Sequence, residues 1–323
     1  MLVGTLFALA AGLMWGLVFI GPLLLPDYPA PLQSFGRYLA FGLIALPLAW
    51  ADRARLRQLA RADWIEAAKL GLVGNIVYYL FLASAIGHAG GPLPTMIIGT
   101  LPVVIAISSN LRDAQRDGRL PWLKLLPSLA LSGAGIACVN QVELDHLRAD
   151  PHADLGRYLL GGLLAVGAVA CWTWDPIRNA DWLRAHPDRS PRAWATAQGV
   201  ATLPLALAGY AGFWVWTAAT GSALSMPLGP RPWVFVGLMF AIGLFASWLG
   251  TLCWNEASQR LPTTLVGQLI VFETLSALAY ALLLRGAWPP LLTGVGVVLL
   301  IAGVSWALRI RPEPMPEAAN APH

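Results

Sequence analysis

The chain has 323 residues, of which 57% are hydrophobic and only 12% charged, with a mean hydropathy of +0.62. That profile excludes an ordinary soluble domain, whose core needs a polar shell. Apolar stretches follow one another with few charges between them and no polar domain left over, so the chain reads as all membrane protein, and a net charge of +4 calls for no nucleic-acid partner.

The first 25 residues carry neither a basic leader region nor a small-residue cleavage site, and they read as a first span rather than a removable signal peptide. A crossing helix needs about 20 mostly apolar residues. Ten predicted spans meet that rule: 2–24, 33–50, 65–87, 92–111, 122–141, 158–177, 193–217, 232–256, 261–284 and 288–308. The joints are short and rich in breakers, as in LPDYPAP (25–31), HAGGP (88–92), SMPLGPRP (225–232) and GAWPP (286–290). Prolines inside spans, Pro47 and Pro102, are expected to kink their helices. Residues 310–323 are expected to form a disordered tail. Cys138, Cys171 and Cys253 fall inside apolar runs as small hydrophobes, with neither a disulfide framework nor zinc spacing.

Cytoplasmic loops carry the excess of lysine and arginine. With the N-terminus inside, sixteen of the 21 basic residues fall on the inner side and four, Arg148, Arg157, Arg231 and Arg285, on the outer side. Both termini are then expected in the cytoplasm. Arg37, at the outer end of span two, is expected to snorkel to the headgroups.

The second half repeats the first weakly. ALAAGLMWG (8–16) lies against AVGAVACWT (165–173) at an offset of 157, pairing Trp15 with Trp172. ASAIGH (83–88) lies against NEASQR (255–260) at 172, and LPWLKLLPSLALSGAGI (120–136) against WPPLLTGVGVVLLIAGV (288–304) at 168. Five spans is an odd number, so the copies run in opposite directions through the bilayer. The expected architecture is an all-α integral membrane protein of ten transmembrane helices in two inverted five-helix repeats, 1–145 and 155–309. Such repeats build many secondary transporters, with the substrate near the midplane between halves that rock around it. Ala8, Gly12 and Gly16, at four-residue steps, mark a face for close helix packing.

Within LIVFETLSALAYALLL (269–284), Glu273 stands in an otherwise lipid-compatible run. An acidic residue at mid-span costs about 2.5–3.5 kcal/mol on insertion scales and usually faces the bundle interior or a watery cavity. Gln268, Thr274 and Ser276 are within helical reach of part of it. Two readings stay open: a proton-coupling or ammonium-binding carboxylate, or a structural glutamate fixing spans eight and nine. Of the 15 tryptophans, Trp50, Trp64, Trp122, Trp182, Trp233 and Trp288 sit at predicted span ends, where the headgroup level suits them. Trp15, Trp172 and Trp254 lie deeper, where they either pack the core or hold a ring or an ammonium. Asp175 and Asn255, near inner ends, read as an inner gate or as helix caps. The loop DHLRADPHAD (145–154) interleaves Asp145, His146, Asp150, His152 and Asp154, but ligands on a loop without fixed geometry predict no metal site.

The sequence resembles the drug/metabolite transporter superfamily, in particular its ten-span EamA-type members. AGLMWG (11–16), ACWTW (170–174), the glycine-rich fifth and tenth spans and FETLSALAYALLL (272–284) carry the resemblance across the ten-span core. CWNEAS (253–258) and Tyr78 in VYYLFLASAIGHA (77–89) are similar to the branch that exports aromatic amino acids. The resemblance implies a central cavity faced by Trp15, Tyr78, Trp172 and Asn255. Two positions depart from the pattern: Thr274 follows the glutamate where the family often has proline, and His88 stands where the branch tends to have tyrosine. The candidate substrate-binding set is therefore Trp15, Tyr78, His88, Trp172, Trp254, Asn255, Gln268 and Glu273, with no catalytic residue, metal or cofactor.

The expected function is a secondary-active exporter of a small metabolite, most readily an amino acid or related compound, in a bacterial inner membrane, with protons as a candidate coupling ion and a monomer plausible. The alternatives are an exporter of cationic drugs and a non-transporting scaffold or sensor. A membrane-embedded enzyme fits poorly, because the chain lacks H-E-x-x-H, G-x-S-x-G and a P-loop.

Overall fold

The computed structural model describes residues 2–90, 92–112, 121–149, 154–261, 266, 269–286, 289–307 and 309–310, and every regular element among them is a helix. Seven helices are long and apolar enough to cross a membrane: α1 (Leu2–Leu24), α2 (Ala30–Ala51), α3 (Arg61–Ala89), α6 (Trp122–Ala149, apolar to Val142), α7 (Leu155–Ala185), α8 (Pro191–Ala219) and α9 (Pro232–Arg260). Shorter helices are α4 (Pro92–Ile98), α5 (Leu101–Arg112), α10 (Val271–Arg285) and α11 (Leu291–Ala307). In chain order α1–α3, then α4 with α5, then α6–α11 fall on the ten predicted spans.

Local chemistry sets the ends. Ser190 caps α8 by accepting from the Ala193 N–H at 3.4 Å, with Pro191 at the first helical position. Asp154 caps α7 in the same way through Arg157 N–H. Gly286, at φ 62°, closes α10 in the left-handed conformation that glycine adopts without strain. Pro47 does not end α2, which runs on to Ala51. The break in predicted span four falls at Gly99–Thr100, leaving Pro102 in the first turn of α5, where it removes no helical bond. Inside α3 and α9, Gly71–Val77 and Gly243–Leu249 wind as π-helix, a feature with no signature in hydrophobic periodicity.

The molecule is apolar outside and polar within. Leu123, Leu163, Val215, Trp233 and Leu291 are among the most exposed side chains, whereas Arg37, Asn179, Gln198, Asn255 and Glu273 are buried. Hydrocarbon tails are as apolar as leucine, so packing and interhelical hydrogen bonds must hold such a bundle. The tightest helix pairs are α6 with α11, α2 with α8, α3 with α7, and α1 with both α9 and α10. The glycine stripe of α1 serves the last contact: a Cβ on Gly12 would come within 3.0 Å of the Glu273 backbone nitrogen, and one on Gly16 within 2.7 Å of Ser276 Cβ.

Candidate functional site

These pairings leave one narrow polar cavity at the centre, with about 20 Å³ open to a water-sized sphere, between side chains contributed by α1, α2, α3, α7, α8, α9 and α10. Its aromatic wall comes from residues far apart in sequence. Trp15 meets Trp172 edge-on at 4.8 Å and Trp254 at 5.0 Å, while Tyr78 stacks on Trp172 at 5.0 Å. Close approach depends on a glycine in α9, since a Cβ on Gly250 would lie 2.6 Å from Trp15 Nε1.

Glu273 opens the first turn of α10 and reaches this wall at 1% exposure. The Trp172 N–H and the Tyr78 hydroxyl lie beside its carboxyl. Neither closes a hydrogen bond of ordinary geometry, and Glu273 Oε2, Trp172 Nε1, Tyr78 Oη and Trp254 Nε1 are buried without partners among the described residues. Buried polar atoms are nearly always paired, yet with Arg37 Nη1 and Tyr38 Oη this one cavity gathers six of the twelve buried side-chain atoms that lack a hydrogen bond among the described residues.

Arg37 corrects a sequence expectation. It is 4% exposed and does not reach the headgroups, because α2 begins at Ala30 and carries it two turns inward. Its Nε donates to Ser247 Oγ at 3.0 Å, in the π-helical part of α9, and its guanidinium lies 4.6 Å from the Tyr79 ring centre and 4.8 Å from that of Tyr38. The overlooked signal was the run of polar residues on one face of α2, Gln33, Ser34, Arg37 and Tyr38, all buried. Asp175 is also a cavity residue and caps nothing, being well inside α7. It packs on Gly74, where an added Cβ would meet its Oδ1 at 2.0 Å.

Asn255 lies beside this cavity rather than on its wall, fully buried, accepting from Asn179 Nδ2 at 2.7 Å. Asn179, which sequence reasoning missed, is the hub of the region: its Oδ1 accepts from Trp194 Nε1 at 2.8 Å and from Gln198 Nε2 at 2.9 Å. Trp182 is not an interfacial residue either. It is buried, stacked on Trp194 at 3.5 Å, and donates to Asp63 at 2.9 Å. His88 stands apart from the central group. It occupies the last turn of α3, exposed, with its Nδ1 2.8 Å from the Ser84 carbonyl oxygen, and lines a second cleft of about 590 Å³ with Gln33 and Arg157. Gln268 lies outside the described residues, as do Asp150 and His152; Asp145 accepts from Gln141 and Asp154 caps α7.

A membrane-spanning helical bundle with polar groups converging on a central cavity has the form of a carrier, and comparison with known proteins agrees. Residues 2–140 match the model of the EamA-like transporter family. The inner membrane protein YtfF of Escherichia coli (strain K12) is 55% identical over 321 residues, covering 99% of each chain. The chain belongs to the EamA-like transporter family, within the drug/metabolite transporter superfamily. It is thus a multi-pass membrane transporter related to an inner-membrane protein, and its substrate is a small molecule. The relative's name specifies a location and no substrate. A solved chain described only as "Crystal structure of protein" superposes with a TM-score of 0.64 over 94% of this chain and 96% of that one. At 17% identity it speaks for the fold alone.

Proposed function

We propose that the chain is a secondary carrier exporting a small metabolite of the amino-acid class by alternating access, with both termini in the cytoplasm. The observation that carries this reading is the central cavity itself, to which both halves of the chain contribute and which their unsatisfied polar atoms surround. In this reading residues 1–145 and 155–309 are inverted repeats that rock about the cavity, and Trp15, Tyr78, Trp172, Trp254 and Glu273 contact the substrate. Asn255 supports that wall from behind.

Packing contacts support the repeat, because they come in pairs related by the sequence offsets. Gly135 faces the Gly296 carbonyl oxygen, as Gly303 faces that of Ser128, at the offset of 168. Gly4 faces Leu261 as Gly161 faces Ala89, and Trp15 lies on Gly250 as Trp172 lies on Tyr78, at offsets of 157 and 172. The two π-helical segments, Gly71–Val77 and Gly243–Leu249, are themselves 172 residues apart. Irregular backbone at membrane depth is tolerated where it lines a cavity, and here Asn75 and Ser247 do so from corresponding positions.

Purified protein in liposomes should exchange labelled L-amino acids by counterflow without nucleotide. Chemical conversion of the solute, or no exchange of any small-molecule class, would overturn the carrier reading. Protons are the proposed coupling ion, with Glu273 the carboxylate that gives up its proton when the substrate's cationic group arrives. Glu273→Gln is then expected to exchange solute without responding to a pH gradient.

A further inference from the structure

The central cavity is lined by a guanidinium and two carboxyl groups, Arg37, Asp175 and Glu273, and two of them, Arg37 and Glu273, each keep a buried polar atom without a partner. Arg37 and Glu273 both line it, at 4% and 1% exposure, and no ion pair joins them. Arg37 has one partner, Ser247, and its Nη1 is buried without an acceptor. Glu273 Oε2 is buried without a donor. Burying charges is unfavourable unless each meets a partner of opposite sign with its hydrogen bonds satisfied, so a bundle that needed these groups only for stability would bring them into contact. Held apart on one cavity, they match a ligand that brings both missing charges.

We propose that Arg37 and Glu273 form a cradle for the zwitterionic head of an α-amino acid, Arg37 taking the carboxylate and Glu273 the ammonium. The planar guanidinium suits a carboxylate because it presents parallel N–H donors to the two oxygens. On the other side, the Trp172 N–H and the Tyr78 hydroxyl lie beside the Glu273 carboxyl, within an aromatic wall that Trp15 and Trp254 complete, and aromatic surroundings of this kind favour an ammonium. Asp175, the other carboxylate on the cavity, sits against Gly74 and, unlike Glu273, has no oxygen that is buried without a partner. The assignment rests on the reading of this cavity as a transport site, and it goes further by fixing which end of the substrate each charge holds.

The test is counterflow in proteoliposomes with three matched solutes for every proteinogenic L-amino acid: the amino acid, the amine lacking its carboxylate, and the acid lacking its ammonium. The expected result is that transported amino acids outpace both analogues by at least about tenfold, because each analogue leaves a buried charge unpaired. Arg37→Gln should then shift preference toward the amine and Glu273→Gln toward the acid, while Asp175→Asn leaves the preference unchanged. If Arg37→Gln is not recovered as folded protein, the Glu273→Gln shift and its reversal in Glu273→Asp decide the matter by the same ratio. Amines or acids moving as fast as the amino acid, or Asp175→Asn shifting the preference in place of Glu273→Gln, would overturn the cradle and leave the carrier standing. Movement of other organic ions with no amino acid exchanged would do the same. No exchange of any class would remove both.

Discussion

The two ends of the bundle are closed by different chemistry. At the arginine-rich end, α2 and α3 are joined to α7 and α8 by ion pairs and hydrogen bonds to carboxylates. Arg192 meets Asp52 at 2.9 Å, Arg178 meets Glu66 at 2.8 Å, and Trp182 donates to Asp63, above the Asn179 hub that seals the cavity floor. Asp52 and Asp63 are buried there. At the opposite end the ties lie in loops: Arg231 pairs with Asp27 in the open, and the buried Tyr28 donates to the Leu228 carbonyl oxygen. A wide cleft opens beside them, and Tyr79 ties α3 to α1 between cleft and cavity: its hydroxyl donates at 3.2 Å to the carbonyl oxygen of Val18, a cavity residue, and packs on Gly21, next to Pro22 of the cleft. One end is bolted and the other lightly latched. In the proposed orientation, with both termini in the cytoplasm, the lightly latched side faces outward, which is the posture the proposed exporter would hold before releasing its solute.

The comparison breaks most easily at Asn179. Replacing it with leucine strands Trp194 Nε1, Gln198 Nε2 and Asn255 Oδ1 in the interior, and each buried polar group left unpaired costs about 1–3 kcal/mol. Asn179→Leu should therefore lower stability by about 3 kcal/mol or more, read as the unfolding temperature in detergent. It should also raise thiol labelling of a cysteine placed at Ser258, now 4% exposed at the same end. Tyr79→Phe tests the other barrier. It removes one neutral hydrogen bond and should cost about 1 kcal/mol, while speeding counterflow through the cleft side. Equal losses from the two substitutions would erase the distinction between the ends.

Much of this was legible in the sequence, and the exceptions share a cause. Long apolar runs between breakers reveal helices whatever their partners, and a carboxylate inside such a run has few places to point, so the ten segments and the inward-facing Glu273 could be read directly. Trp15, Trp172, Trp254 and Tyr78 were also candidates from the chain alone, and the fold brings them together. Arg37 was misread because its setting is made by Ser247 and Tyr79, on other helices. Trp182 looked like a span-end residue and Asn179 drew no reading at all, since their roles exist only once Trp194, Gln198 and Asp63 arrive from elsewhere. His88 was chosen by its place in a motif, yet the last turn of α3 carries it into the open cleft. A residue whose meaning depends on a distant helix leaves no periodic trace in its own.

The smallest effect belongs to the Asp27–Arg231 pair, and it measures how light the latch is. The hydrogen bonds from Arg231 hold the Asp27 carboxyl below its ordinary titration range. A carboxylate with a depressed folded-state pKa adds stability at pH values above its unfolded value, about 3.9, and that contribution disappears as pH falls through the lower folded value. Any difference in unfolding temperature between the wild-type chain and Asp27→Asn should therefore be present near neutral pH and vanish in acid. Its size should be near the limit of detection, because the pair is solvated and exposed ion pairs add little. A loss at neutral pH as large as that of Asn179→Leu would mean that the outer loops bear as much load as the buried hub. The cleft side would then be as firmly shut as the arginine-rich end, and the outward-facing posture would have to be given up.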